Sequence, residues 1–241
     1  MIDWNKYFDH IYILTRFSIV DRRKIYVSEL QRIGLYNYHW WYNCDNELMN
    51  YDKIINNYGK GTQRAAYGHY TLIKTLYELN YDNVLIMEDD NCFLNDINKI
   101  QEQLDIFLSN KNNCDEYYFD YVINNNSITF HNCHYINRRM MKYYIYNMEH
   151  YGLINDNYVP IYFLSPNNYI EFSYTYMYNA IDENETKYKY IKIPREEHLL
   201  PIQVILSPIR ICVQPDKLYL YSEVTTQNKL ENLNDYNICK S

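Results

Sequence analysis

The chain has 241 residues, 47% hydrophobic and 22% charged, with a formal net charge of -7, which allows a large α/β domain and disfavours a general nucleic-acid binder. Six dispersed cysteines, with no Cys-x-x-Cys pair and no ligand spacing toward the histidines, argue against a zinc site and a disulfide framework. With no apolar signal core at the start and no uncharged run that would span a bilayer, the expectation is a soluble, intracellular, cytoplasmic protein without a transmembrane segment.

Residues 10–15 (His-Ile-Tyr-Ile-Leu-Thr) make a predicted strand, and Asp21-Arg22-Arg23 opens a helix that Asp21 is placed to cap. Ile25, Tyr26, Leu30 and Ile33 recur at helical spacing up to Gly34, a suitable stop. The aromatic residues 36–42 read as a second strand, so the chain opens as a βαβ unit with a right-handed crossover. From Thr62, the residues Ala65, His69, Leu72, Ile73, Leu76 and Leu79 trace one helical face, and a strand at Val84 follows almost at once. Ile97, Ile100, Leu104, Phe107 and Leu108 mark another amphipathic helix, residues 117–123 a further strand, and residues 133–136 a short strand running into a helix from Asn137. Residues 155–190 carry no clear pattern, and acceptor-binding loops or an insertion are expected there. Regularity returns at 190–193, then at a helix start over 194–200 with acids in its first turn, and at a last strand over 209–213.

The segment of greatest chemical interest is Val84-Leu85-Ile86-Met87-Glu88-Asp89-Asp90. Its apolar run reads as a buried strand of a parallel sheet, and ligands of open α/β sheets lie beyond the carboxyl ends of such strands. Three adjacent carboxylates repel one another unless a cation, a hydroxyl-rich ligand or solvent relieves them. A hard divalent metal fits that need, and so does a plain solvated acidic turn. From the segment alone both readings stand.

Four pieces taken together resemble glycosyltransferase family 25, which includes lipooligosaccharide and procollagen galactosyltransferases. They are residues 10–23, a hydrophobic strand and polar turn before Asp21-Arg22-Arg23; Gly61 to His69, matching the family block at Gly61, Ala66 and His69; Val84 to Asp90, similar to the family's Leu-Glu-Asp-Asp segment; and Val213-Gln214 with Tyr221-Ser222-Glu223-Val224. His134-Tyr135-Ile136-Asn137-Arg138-Arg139 resembles a further family segment. Thr62, Arg64 and Gly68 depart from the pattern.

The resemblance implies a GT-A type, Rossmann-like nucleotide-sugar-binding fold in a single domain, 1–241, with 155–190 as a variable insertion or acceptor-side region. It also implies an inverting, metal-dependent transfer of a sugar from a UDP-sugar to a hydroxyl of a glycan or glycosylated protein. Galactose is the first choice, then glucose or N-acetylglucosamine, with Mn²⁺ or Mg²⁺ as cofactor. Asp90, with Asp89, is expected at the metal, and His198 is a further candidate ligand. Donor-binding candidates are Thr15, Arg16, Arg22, Arg23, His69, Glu88, Asp89, Ser222 and Glu223. Inversion requires a base near the acceptor hydroxyl, and Glu196, Glu197 and Asp156 are the candidates. Each has a plainer reading: Asp21-Arg22-Arg23 as a capped helix start, His69 as a core histidine, Glu196 and Glu197 as first-turn charges. The alternative function is a catalytically inactive nucleotide-sugar or glycan-binding relative. A tyrosine-rich structural protein sits poorly with the α/β alternation.

Overall fold

The structure, a computed structural model, describes residues 1–43, 60–124, 127–129, 132–150, 158–164, 170–177, 188–192, 204–214 and 235–237. Strand β1 (His10–Arg16) leads through helix α1 (Val20–Arg32) to β2 (His39–Asn43), and α2 (Lys60–Glu78) leads to β3 (Val84–Glu88). There follow β4 (Cys92–Phe93), α3 (Ile97–Asn110), β5 (Glu116–Tyr118), β6 (Val122–Asn124), β7 (Ser127–Thr129), β8 (Cys133–Ile136) and α4 (Arg138–His150). The remaining strands are β9 (Tyr158–Leu164), β10 (Ile170–Met177), β11 (Tyr188–Lys192), β12 (Val204–Leu206) and β13 (Cys212–Val213).

The central sheet has six strands in the order β12-β5-β8-β3-β1-β2. β1 pairs in parallel with β2 and β3, and β12 with β5, whereas β8 runs antiparallel to both its neighbours. The expected parallel sheet is therefore a mixed one, compatible with a Rossmann-like α/β fold. β3 alternates its contacts strictly. Leu85 and Met87 join a cluster with Tyr26 and Leu30 of α1 and Ile100, Leu104 and Phe107 of α3. Val84 and Ile86 join the opposite cluster with Leu72, Ile73 and Leu76 of α2 and Met140 and Met141 of α4. Helices thus cover both faces of the sheet, which is why β3 is apolar throughout rather than on alternate residues.

Two helix ends explain the tight links between elements. After α1, Gly34 takes φ +75°, Gly34 N–H donates to the Gln31 carbonyl at 3.1 Å and Leu35 N–H to that of Leu30 at 2.8 Å. This is a Schellman closure, sealed by the buried pair Leu30 and Leu35. α2 closes the same way with Asn80 at φ +60° in the glycine's place, and Tyr81 N–H reaches the Leu76 carbonyl at 3.0 Å. Asp96 caps α3, accepting the Asn98 N–H at 2.9 Å.

Several sequence expectations are revised. Asp21 does not cap α1: the cap position is Ile19, without a side-chain bond, and Asp21 sits in the first turn, where it still complements the helix dipole. Ile25 and Leu79, counted among the buried helix positions, are 43% and 53% exposed. The single strand expected over 117–123 is two, β5 and β6, in different sheets. The break is a bulge, because the N–H groups of both Phe119 and Asp120 donate to the one carbonyl of Cys133, at 2.9 and 3.2 Å. Residues 155–190, unreadable in sequence, contribute β9, β10 and part of β11 to a second, antiparallel sheet of order β11-β10-β9-β7-β6. The last strand is confined to Cys212–Val213, antiparallel to β4. Cys92, Cys114, Cys133 and Cys212 are buried thiols outside any disulfide. No helix among the described residues is long and apolar enough to cross a membrane.

Candidate functional site

The carboxyl ends of β1 and β3 lie side by side, Leu14 opposite Glu88 in the register. Asp89 N–H donates to the Leu14 carbonyl at 3.1 Å and Glu88 N–H to that of Asn132 at 2.8 Å, so the chain just past β3 is still held by its neighbours. Asn91, 1% exposed, closes the turn by donating its amide to the carbonyls of Glu88 and Asn132 at 2.8 and 2.9 Å. The three acids are therefore presented by fixed backbone.

Each acid has a different surrounding. Asp89 is 2% exposed and engaged at both oxygens: Thr15 Oγ1 donates to Oδ2 at 2.5 Å, and Arg22 Nη2 meets Oδ1 at 2.5 Å. It latches the end of β1 and the first turn of α1 to the acidic loop. Glu88 accepts from Gln214 Nε2 at 3.0 Å through Oε2 and faces His69 Nε2 at 3.2 Å through Oε1. Asp90 accepts from the same Gln214 amide at 2.8 Å, and Arg22 Nη1 lies 3.5 Å from its other oxygen.

Burial raises the Asp90 carboxyl, and the Glu88 charge adds to this, so its pKa is pushed up to about 7 despite the opposing pull of Arg22. Burial pulls the Arg22 guanidinium downward, but Asp89 and Asp90 outweigh it and the net shift is upward, which keeps Arg22 charged. The loop thus holds more negative charge than one arginine compensates.

Beneath it lies a second polar layer. His134 and Glu116, 2% and 1% exposed, approach at 2.6 Å between Nδ1 and Oε1. Burial drives the pair toward neutrality, the imidazole down to about 3 and the carboxyl up to about 8. Tyr118 stacks on His134 at 5.8 Å, and the His69 ring lies 5.9 Å away.

Among the residues expected at the site, Thr15, Arg22, His69, Glu88, Asp89 and Asp90 come together. Arg23 points back along α1, donating to the carbonyls of Arg16 and Phe17 rather than to the acids. Arg16 ends β1, its carbonyl held by Arg23 and by Ile19 N–H at 3.2 Å. Asp156, Glu196, Glu197, His198, Ser222 and Glu223 lie outside the described residues. Gln214, not among the expected site residues, bridges Glu88 and Asp90. Its place follows from β13 pairing with β4, Val213 opposite Cys92. Its sequence signal is the likeness of Val213-Gln214 to the family's terminal segment, a likeness that by itself gives the residue no role. The His134–Glu116 pair gave no such signal, since a single histidine and a single acid in separate strands carry no spacing.

Among the described residues, no three His, Cys, Asp or Glu side chains group in a way that could hold a metal ion. A one-carboxylate anchor is a different case, because Mg²⁺ and its relatives are commonly held by one or two carboxylates with substrate phosphates and water. Asp90 suits that role: burial and the neighbouring Glu88 charge push its carboxyl up, and a bound cation would oppose both. Asp89 suits it less, having both oxygens engaged. No family model matches the chain, and no curated protein matches it.

Proposed function

We propose that the chain is a GT-A type glycosyltransferase acting on a UDP-sugar, and that the loop after β3 is its donor site. The observation that carries this is the under-compensated acid loop at the carboxyl ends of two adjacent parallel strands, with Arg22 beside Asp89 and Asp90. An open α/β sheet binds its ligands at that edge. The likeness of residues 10–23, 61–69 and 84–90 to glycosyltransferase family 25 supplies the reaction class. A divalent cation, Mn²⁺ or Mg²⁺, would be held by Asp90 together with donor phosphates, and would neutralise charge developing on the departing diphosphate.

The chain's own residues account for the rest of the donor site. Arg22 meets a diphosphate with planar donors and keeps its charge at all relevant pH values. Asp89 holds Arg22 at that position, and Thr15 holds Asp89. Gln214 ties Glu88 to Asp90, which fixes the Asp90 carboxylate in one orientation, and His69 fixes Glu88 from the α2 side. Galactose leads among donor sugars, with glucose and N-acetylglucosamine next, and a glycan or glycosylated protein is the acceptor. The base that takes the acceptor proton is sought among Glu196, Glu197 and Asp156.

The second reading is a nucleotide-sugar or glycan-binding relative without turnover, favoured by the departures at Thr62, Arg64 and Gly68 from the family block. One experiment separates the two. The protein is incubated with manganese and a panel of UDP-sugars, with and without glycan acceptors, and hydrolysis or transfer is followed. The expected result is turnover with one donor that is lost in Asp90→Asn. Tight UDP binding without turnover on any donor or acceptor rejects the enzyme.

A further inference from the structure

Between Thr15 and Arg22 the chain makes a turn that leaves an aromatic side chain exposed. Phe17 is 69% exposed, and its ring meets that of Tyr42 at 5.8 Å with an interplanar angle of 64°. Tyr42, itself 46% exposed, stands directly opposite Thr15 in the β1–β2 register. Single exposed apolar residues are ordinary on any surface. Here, however, the exposed ring is on fixed backbone. Arg23 donates to the carbonyls of both Arg16 and Phe17, the latter at 3.1 Å, and its guanidinium lies 5.3 Å from the centre of the Tyr42 ring. A buried ring would justify such fixing by its own packing. A ring fixed and left in water is preorganised for something else.

We propose that Phe17 and Tyr42 form an aromatic platform that receives the nucleobase of a nucleoside diphosphate bound at the acidic loop. The inference rests on the donor-site reading above and adds the part of the ligand that this reading leaves unassigned. Two rings at 64° offer a face and an edge to a third flat ring, the arrangement aromatic groups favour. Phe17 follows Thr15 by two residues, so at most roughly 7 Å of extended backbone separates the platform from the Thr15–Asp89 latch. The intervening helix start supplies the cation Arg22 on the side where a diphosphate would lie. A sugar ring of an acceptor could also stack on an aromatic face, and the test distinguishes it from a base.

Binding is measured by calorimetry with manganese present, using UDP, inorganic pyrophosphate and a glycan panel as probes, on the unaltered chain, Phe17→Ala and Phe17→Trp. Because Phe17 is exposed, its truncation leaves the core intact, which matching thermal melts check. Phe17→Ala is expected to weaken UDP roughly 5- to 100-fold while pyrophosphate changes by less than about twofold, the difference being the stacking of one base. Phe17→Trp is expected to restore UDP affinity. Unchanged UDP affinity in Phe17→Ala overturns the platform and leaves the donor site standing, as does an equal loss of UDP and pyrophosphate. A loss confined to glycan binding overturns it in favour of an acceptor surface. Failure of the unaltered chain to bind UDP at all overturns the platform together with the donor-site reading.

Discussion

At the scale of single residues, the three acids illustrate how neighbours divide identical chemistry. Asp89 is neutralised and locked, Glu88 is hydrogen-bonded from two sides, and Asp90 is left with a carboxyl pushed from 3.8 up to about 7. A raised carboxyl has a definite consequence for stability. Between about pH 4 and pH 7 the folded chain keeps a proton that the unfolded chain has released, so stability from Asp90 falls as pH rises through that window and is level above it. Denaturant melts of the metal-free protein should show this fall, with a shallower slope in Asp90→Asn. At pH 8 that variant should be more stable by about 1–2 kcal/mol, the usual sign where a site is strained for function. Comparing the two proteins isolates Asp90 from Glu116, whose carboxyl is likewise raised, to about 8. The sequence displayed the acid triplet openly. It did not display which acid was locked, because Thr15 and Gln214 reach the loop from 74 and 124 positions away.

At the scale of elements, the approach of α2 to β2 depends on Gly68. A Cβ there would fall onto the Asn43 side-chain amide at the end of β2, so a larger residue requires that amide to move aside. One departure from the family block thus has a packing reason in this chain: α2 comes close at the point where His69, the next residue, turns toward Glu88. Gly68→Ala should cost about 1–2 kcal/mol through overpacking. In an Asn43→Ala background the clash is gone, and the same change should instead gain up to about 1 kcal/mol from helix propensity. Urea melts of the four proteins in this cycle give the coupling directly, and equal effects in both backgrounds would refute the close-approach account. Helix existence was legible from apolar spacing, and Gly34 was legible as a stop. The matching stop at Asn80 was not singled out, since asparagine reaches the left-handed region less freely than glycine and carries a weaker signal.

At the scale of the whole molecule, two clusters on opposite faces of one sheet hold the site's backbone in place. Phe107 on α3 is fully buried and its ring lies 4.9 to 5.4 Å from those of Phe8, Tyr117, Phe119 and Tyr135. Truncating it removes the hub of that aromatic cluster, and Phe107→Ala should lower stability by about 3–5 kcal/mol in a denaturant melt. A change below about 1 kcal/mol would mean that the cluster re-closes around the gap.

The sequence by itself determined the alternation of helices and strands, the apolar character of β3 and the presence of acids at its end, because these depend on local periodicity and composition. Only the tertiary structure decided that β8 enters the sheet antiparallel, that a bulge at Phe119 and Asp120 sends β5 and β6 to different sheets, and that β9, β10 and β11 pair with one another. It likewise decided that Arg22 faces the acids while Arg23 faces away from them. The reason is the same in each case: strand direction, register and the aim of a long side chain are set by partners distant in the chain, and adjacent residues carry no record of them.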